Sequence, residues 1–285
     1  MPPSDFLIIG FSDKPSLARQ IAKRLRTRPA FAKVSHYSAG ELWIKSPLTN
    51  VKNVLLISDI SENPASLLQG LALAQNVRNQ GAKQVTLLCP WIAYGRQDRP
   101  DQDGSIAIGT TIGQSLSRAF DRIVTLDAHS QAFIHSFEEK LINILPSFAD
   151  VPKRFDAVAA PDNGAIGRAS IAAKALELPL ITLEKQRIGK RVLTHLSKKS
   201  PIPHGACVLL VDDIGDTGKT LIAAAKALRT SGASSVQALV THANDLTALR
   251  QATKNDLASV NAFYDHRTGR LSSAALTALI ENSLP

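Results

Sequence analysis

Val208-Leu209-Leu210-Val211-Asp212-Asp213-Ile214-Gly215-Asp216-Thr217-Gly218-Lys219-Thr220 joins a short apolar run to a helical pattern, Lys219–Ser231, through a polar loop. A run that short and that apolar predicts a strand buried on both faces. The chain contains a second version of the same text. Val54-Leu55-Leu56-Ile57-Ser58-Asp59-Ile60 is again followed by an Ala/Leu-rich helical stretch, Ser66–Gln80. Each copy then reads Gly-Ala-x-x-Val into another apolar run, Gly81 to Val85 and Gly232 to Val236. Upstream, Phe6–Arg19 resembles Phe155–Arg168, with Asp13 opposite Asp162. Further buried strands are expected at Phe6–Gly10, Val85–Leu88, Arg122–Leu126, Ala157–Ala160 and Val236–Val240.

Strands alternating with helices predict an α/β chain with mostly parallel sheets flanked by helices. Four corresponding elements in one order predict two similar domains, 1–146 and 147–285, joined near Pro146–Pro152. The general grammar of βαβ units accounts for part of the likeness, and the two-domain layout stands on either reading. In open α/β sheets ligands bind beyond the carboxyl ends of the strands, so the loops after those runs are where chemistry is expected.

Of 285 residues, 44% are hydrophobic and 20% charged, a globular balance. Thirty-three Lys plus Arg against 24 Asp plus Glu leave +9, which suits nucleic acid, anionic lipid or a polyanionic small substrate. Basic residues occur only in short groups such as Lys23-Arg24-Leu25-Arg26, and aromatics are 5%, too few for the stacking platforms of single-strand binders. A phosphate-rich metabolite is the expectation, with no nucleic acid and no membrane. Cys89 and Cys207 are isolated, which predicts buried structural thiols in a reducing, cytoplasmic setting.

The loop itself has two kinds of chemistry. Amides of Asp216–Thr220 at a helix start, with the Thr217 and Thr220 hydroxyls, suit one phosphate. Asp212 and Asp213 end a buried strand, a costly place for two charges unless they bind something. Vicinal ribose hydroxyls are natural donors to such carboxylates. A nucleotide-binding P-loop is the competing motif, but Asp213 stands where its first glycine belongs. A purely structural acidic turn is the remaining reading.

The loop resembles the phosphoribosyl-diphosphate motif of type I phosphoribosyltransferases and of phosphoribosyl pyrophosphate synthetases. Four further stretches resemble the synthetase pattern: Trp91–Arg99, Val124–Ser130, Ala160–Arg168 and Glu184-Lys185-Gln186-Arg187. A phosphoribosyltransferase needs only the second half. The resemblance implies two phosphoribosyltransferase-like domains and transfer of a diphosphoryl group from ATP to ribose 5-phosphate. By the same likeness, Tyr37, Gly40, Glu41, Arg96, Gln97, Asp98 and His129 serve ATP. Asp212, Asp213, Asp216, Thr217, Gly218, Lys219 and Thr220 hold ribose 5-phosphate, and His129 with Asp162 serves Mg2+. Lys185 and Arg187 are the implied catalytic cations, at the entrance of a basic lid running through Gly189, Lys190 and Arg191 to Lys199. A homo-oligomer is implied as well.

Departures from the pattern are Ala39 in the Tyr37–Glu41 hairpin, Gln186 between the two cations, and Lys219 in place of a small residue. Ala39 and Lys219 keep open a second expectation, a non-catalytic homologue that binds nucleotide and regulates an active synthetase.

Overall fold

Each apolar run named above forms a strand. The computed structural model describes residues 6–12, 14–61, 63–100, 104–188, 191–197 and 202–284. Asp13, Gly189, Lys190 and Lys199 therefore lie outside the described residues. The first half runs β1 (Phe6–Phe11), α1 (Pro15–Arg24), β2 (Ala30–His36), β3 (Leu42–Lys45), β4 (Asn53–Ile57), α2 (Ala65–Asn79) and β5 (Gln84–Leu88). It continues with α3 (Ile108–Ala119), β6 (Arg122–Leu126), α4 (Gln131–His135) and β7 (Leu141–Ile144). The second half runs β8 (Ala157–Ala160), a 3-10 turn (Asn163–Ala165), α5 (Ile166–Leu176), β9 (Leu180–Ile188), β10 (Arg191–Leu196), β11 (Cys207–Gly215) and α6 (Lys219–Thr230). It ends with β12 (Ser235–Ala243), α7 (Leu246–Thr253), β13 (Ser259–Asp265), β14 (Arg270–Leu271) and α8 (Ser273–Ser283).

There are two seven-stranded sheets, ordered β3-β2-β1-β4-β5-β6-β7 and β10-β9-β8-β11-β12-β13-β14. Shifting every label of the first by seven reproduces the second, so the repeat read in the sequence is a repeat of topology. Both sheets are parallel through their centres, with antiparallel edge pairs β2–β3 and β9–β10. They differ at the other edge, where β6–β7 is parallel and β13–β14 antiparallel. Contacts divide the chain into one compact unit of 1–144 with 275–285, and a second of 145–274.

Val54–Ile57 and Ala157–Ala160 are buried at every position. Unbroken burial, rather than alternation, is the mark of a strand covered on both faces. The two cores are separate clusters, one around Leu56, Leu87 and Phe133, the other around Leu210, Leu228 and Val240. Cys89 is buried, and burial pushes its thiol well up, the behaviour of an inert core residue. Cys207 is only partly buried, against expectation, because it opens β11 at the rim of the sheet. No described helix is long and apolar enough to cross a membrane.

Two segments differ from the simple reading. β11 does not stop at Val211 but continues to Gly215, pairing Asp212 with Val240, Ile214 with His242 and Gly215 with Ala243. The apolar, nine-residue β12 supplies a ladder that carries the strand past the acidic pair. The described part of the basic lid is a β-ribbon rather than a loop: Lys185 pairs with Thr194 and Arg187 with Val192 across β9 and β10.

Candidate active site

In the second unit the carboxyl ends of three neighbouring parallel strands carry the polar groups. Asp162 follows β8, the acidic pair lies in the last four residues of β11, and Asn244 follows β12. Asp212 and Asp213 are 7% and 6% exposed. The Asp213 amide donates to Asp212 Oδ1 at 2.9 Å, and the Ile214 amide donates to Asp213 Oδ1 at 2.9 Å. Burial, then the neighbouring Asp213 charge, pushes the Asp212 carboxyl well above the usual range. Such a site stores unfavourable energy that a ligand's donors or a cation relieve.

Beyond the pair the chain turns into α6 at Gly218, whose φ of 77° is left-handed. A Cβ there would stand 2.7 Å from Thr253 Cγ2, and one on Gly215 would stand 2.4 Å from Leu249 Cδ2. α7 therefore presses directly on the loop from behind, and a side chain at either place would require α7 side chains to shift. Gly218→Ala combines left-handed strain of about 1–2 kcal/mol with overpacking of about 1–3 kcal/mol. Urea unfolding should find the variant less stable by about 2–5 kcal/mol. An unchanged midpoint would mean that the loop is not braced as described.

The open side of the loop is solvent-facing: Asp216, Thr217 and Lys219 are exposed, and Thr220 is half-buried. Amides in the first turn of a helix have no acceptor within it. A helix start of this kind is suited to an anion. Asn244 Nδ2 donates to Asp216 Oδ1 at 2.9 Å and fixes one lip of the loop. Lys219 adds a cation at a helix N-terminus, where the dipole disfavours one unless an anion is bound.

In the first unit two loops meet. Ser130 caps α4 by accepting from the Phe133 amide at 3.1 Å, and its hydroxyl donates to Asp98 Oδ2. A Cβ on Gly95 would stand 3.4 Å from His129 Cβ. The long β5–α3 loop carrying Arg96, Gln97 and Asp98 is thus held against the loop carrying His129. Arg96, Gln97 and His129 are exposed, while the Asp98 side chain is turned in towards Ser130 and Arg99.

The Tyr37 hairpin is elsewhere. Its tip is closed by the Gly40 amide donating to the Tyr37 carbonyl and the Tyr37 amide donating to the Glu41 carbonyl, both at 2.9 Å. Strand β2 is separated from β5 by β1 and β4, so Tyr37 is not beside Arg96 within its own unit. Tyr37 is 57% exposed, a large aromatic face without cover from its own unit's core.

Sequence reasoning gave no role to Arg168, Ser130 or Asn244. Ser130 and Asn244 carried no local signal, since their partners are 32 and 28 residues away. A cavity of about 360 Å³, lined in part by Val151, Phe155, Leu209, Leu239 and Phe263, lies in the second unit and shares no residue with these loops.

Residues 6–116 match the N-terminal domain of ribose phosphate pyrophosphokinase, and residues 129–260 match the phosphoribosyl transferase domain. A ribose-phosphate pyrophosphokinase from Chromobacterium violaceum is 30% identical over 240 residues, covering 80% of this chain and 73% of the relative. The chain belongs to the ribose-phosphate pyrophosphokinase family. A second pyrophosphokinase, from Methanopyrus kandleri, is 29% identical over 248 residues, covering 83% of this chain and 84% of that one. The solved structure of phosphoribosylpyrophosphate synthetase from Mycobacterium smegmatis superposes with a TM-score of 0.77 at 22% identity. That likeness covers 90% of this chain and 88% of the other, and it shows the same two-sheet pyrophosphokinase fold.

Proposed function

We propose that the chain transfers the β,γ-diphosphoryl group of ATP to C1 of ribose 5-phosphate. The sugar's C1 hydroxyl oxygen forms a bond to the β-phosphorus and loses its proton. The bond from the β-phosphorus to the oxygen it shares with the α-phosphorus breaks, and AMP leaves. The observation that carries the reading is the buried Asp212–Asp213 pair at the mouth of a glycine-turned helix start. A diol above and a phosphate below match those two kinds of group.

Residues 1–146 take ATP and residues 147–285 take ribose 5-phosphate; the last helix, which clusters with the first unit, carries none of the proposed site residues. Arg96 has a planar fork matched to phosphate oxygens, Gln97 and His129 stand beside it, and Asp98 braces the loop. Tyr37, Gly40 and Glu41 form the adenine hairpin, which in a homo-oligomer reaches a neighbour's nucleotide. Asp212 and Asp213 face the sugar hydroxyls. Asp216, Thr217, Gly218, Lys219 and Thr220 hold the 5-phosphate. Lys185 and Arg187, on the β9–β10 ribbon, grip the transferring group. The protein works in the cytoplasm.

His129 and Asp162 are the proposed residues for Mg2+, an ion that keeps waters and substrate phosphates and takes only one or two protein ligands. Among the described residues no group of three or more His, Cys, Asp or Glu side chains could hold a metal. Bound with the nucleotide, Mg2+ supplies neutralisation of charge on the phosphate oxygens.

The deciding experiment is an AMP-release assay with ATP, ribose 5-phosphate and Mg2+. AMP should appear only when all three are present. No AMP under any condition would sink the enzyme reading and leave the regulatory one. Consumption of phosphoribosyl diphosphate only with an added nucleobase would point instead to a phosphoribosyltransferase.

A further inference from the structure

Arg168 occupies a place that local electrostatics disfavour. It lies in the first turn of α5, where a cation meets the positive end of the helix dipole. Its side chain is nevertheless only 9% exposed. One nitrogen, Nη1, donates to the Gly164 carbonyl at 3.0 Å, and the other, Nη2, stands 3.7 Å from Asp213 Oδ2. The Gly164 amide in turn donates to Asp162 Oδ1 at 3.0 Å. A single guanidinium therefore ties the turn after β8, which carries Asp162, to the end of β11, which carries the acidic pair. A helical side chain leans back over the preceding turn, which is how Arg168 reaches Gly164 four residues earlier.

Two adjacent carboxylates share a site with almost no access to water. One guanidinium at this distance compensates one of them. We infer that Arg168 is a positioning residue of the ribose-phosphate site: it holds the Asp213 carboxylate against the Asp162 turn, in place beside Asp212 to meet the hydroxyls of a bound sugar. This rests on the proposed ribose 5-phosphate site in the second unit. An arginine suits the task better than lysine, because its fixed fork serves the carbonyl and the carboxylate at once.

The test is calorimetric titration with ribose 5-phosphate, together with steady-state kinetics, on three forms of the full chain: the unmutated protein, Arg168→Ala and Arg168→Lys. Arg168→Ala removes the buried guanidinium that stands 3.7 Å from Asp213 Oδ2, and its ribose 5-phosphate affinity should fall about 10–100-fold. KM for the sugar should rise while KM for ATP stays put, a split that general loss of structure does not produce. Arg168→Lys should recover part of the affinity, since it restores the charge but not the fork.

Arg168→Ala with undiminished sugar affinity, or with equal rises in both KM values, overturns the inference. If Arg168→Ala does not fold, Arg168→Lys decides. A folded Arg168→Lys with undiminished sugar affinity, or with equal rises in both KM values, overturns the inference, and a rise confined to the sugar KM supports it. Failure of the unmutated chain to bind ribose 5-phosphate is a separate result, which removes the site reading and the inference with it.

Discussion

Lys185→Ala should turn over ATP and ribose 5-phosphate about 10²–10³-fold more slowly, the usual cost of removing one preorganised donor to developing charge. Ribose 5-phosphate affinity, measured by calorimetry, should be unchanged. The reason lies in where the residue sits. Lys185 is within β9, in its ribbon with β10, and β8 separates that strand from the acidic pair on β11. Its proposed partner is the diphosphoryl group in flight, and a contact made only in the transition state appears in kcat rather than in ground-state binding. If the variant loses sugar affinity and keeps its turnover at saturation, the assigned role is wrong.

Asp212→Asn should do two opposite things. Sugar binding should weaken about 10–100-fold, because an ionised acceptor for the ribose hydroxyls becomes a neutral one. The unliganded protein should meanwhile become more stable at neutral pH. Asp212 has a folded-state pKa raised by burial and by Asp213, so its ionisation in the folded state costs energy. Below the unfolded carboxylate pKa of about 3.9 both states are protonated and nothing is lost. As pH rises from there through the higher folded value, stability is progressively lost, and asparagine avoids that loss. At pH 7.5, above the unfolded value, the expected gain is about 1–3 kcal/mol, or about 2–4 °C in Tm per kcal/mol. Near pH 3.5 the difference should vanish. A variant less stable than the parent at pH 7.5 would show that the carboxylate is a structural group and not one held in readiness for a ligand.

The repeat gives these residues a common frame. The β2–β3 hairpin of the first unit and the β9–β10 ribbon of the second are the same element in the two sheet orders. The first carries Tyr37 at its tip, an exposed aromatic suited to a base, and the second carries Lys185 and Arg187 along β9, cations suited to phosphates. The loops that follow the central strands have diverged in the same way. β11 passes through Gly215 and Gly218 into a helix start, whereas the loop after β4 runs Ser58-Asp59-Ile60-Ser61 to Pro64, without a glycine. Where β12 turns quickly into α7, β5 is followed by the long segment Cys89–Ala107, which includes Arg96.

Strands such as Ala157–Ala160 and Arg122–Leu126 were legible because an apolar run of that length has one stable use in an α/β chain. The edge strands β3, β10 and β14 were not, since a partly exposed strand carries no continuous apolar run. The strand–turn–helix course of Asp212–Thr220 was legible for a local reason too: its glycines, hydroxyls and carboxylates are consecutive, so the turn is written in one stretch.

The amino-acid order alone determined that the chain is a twofold repeat of an α/β unit, with a loop of carboxylates, glycines and hydroxyls at Asp212–Thr220 in its second half. Only the tertiary structure decided which side chains brace that chemistry. Arg168 reaches across from α5 to Asp213, Asn244 closes on Asp216, Ser130 ties down Asp98, and Leu249 and Thr253 press on the loop glycines. Those contacts join residues far apart in the chain, with no shared period or motif. They come into being when strands distant in sequence become neighbours in a sheet, and no local propensity encodes them.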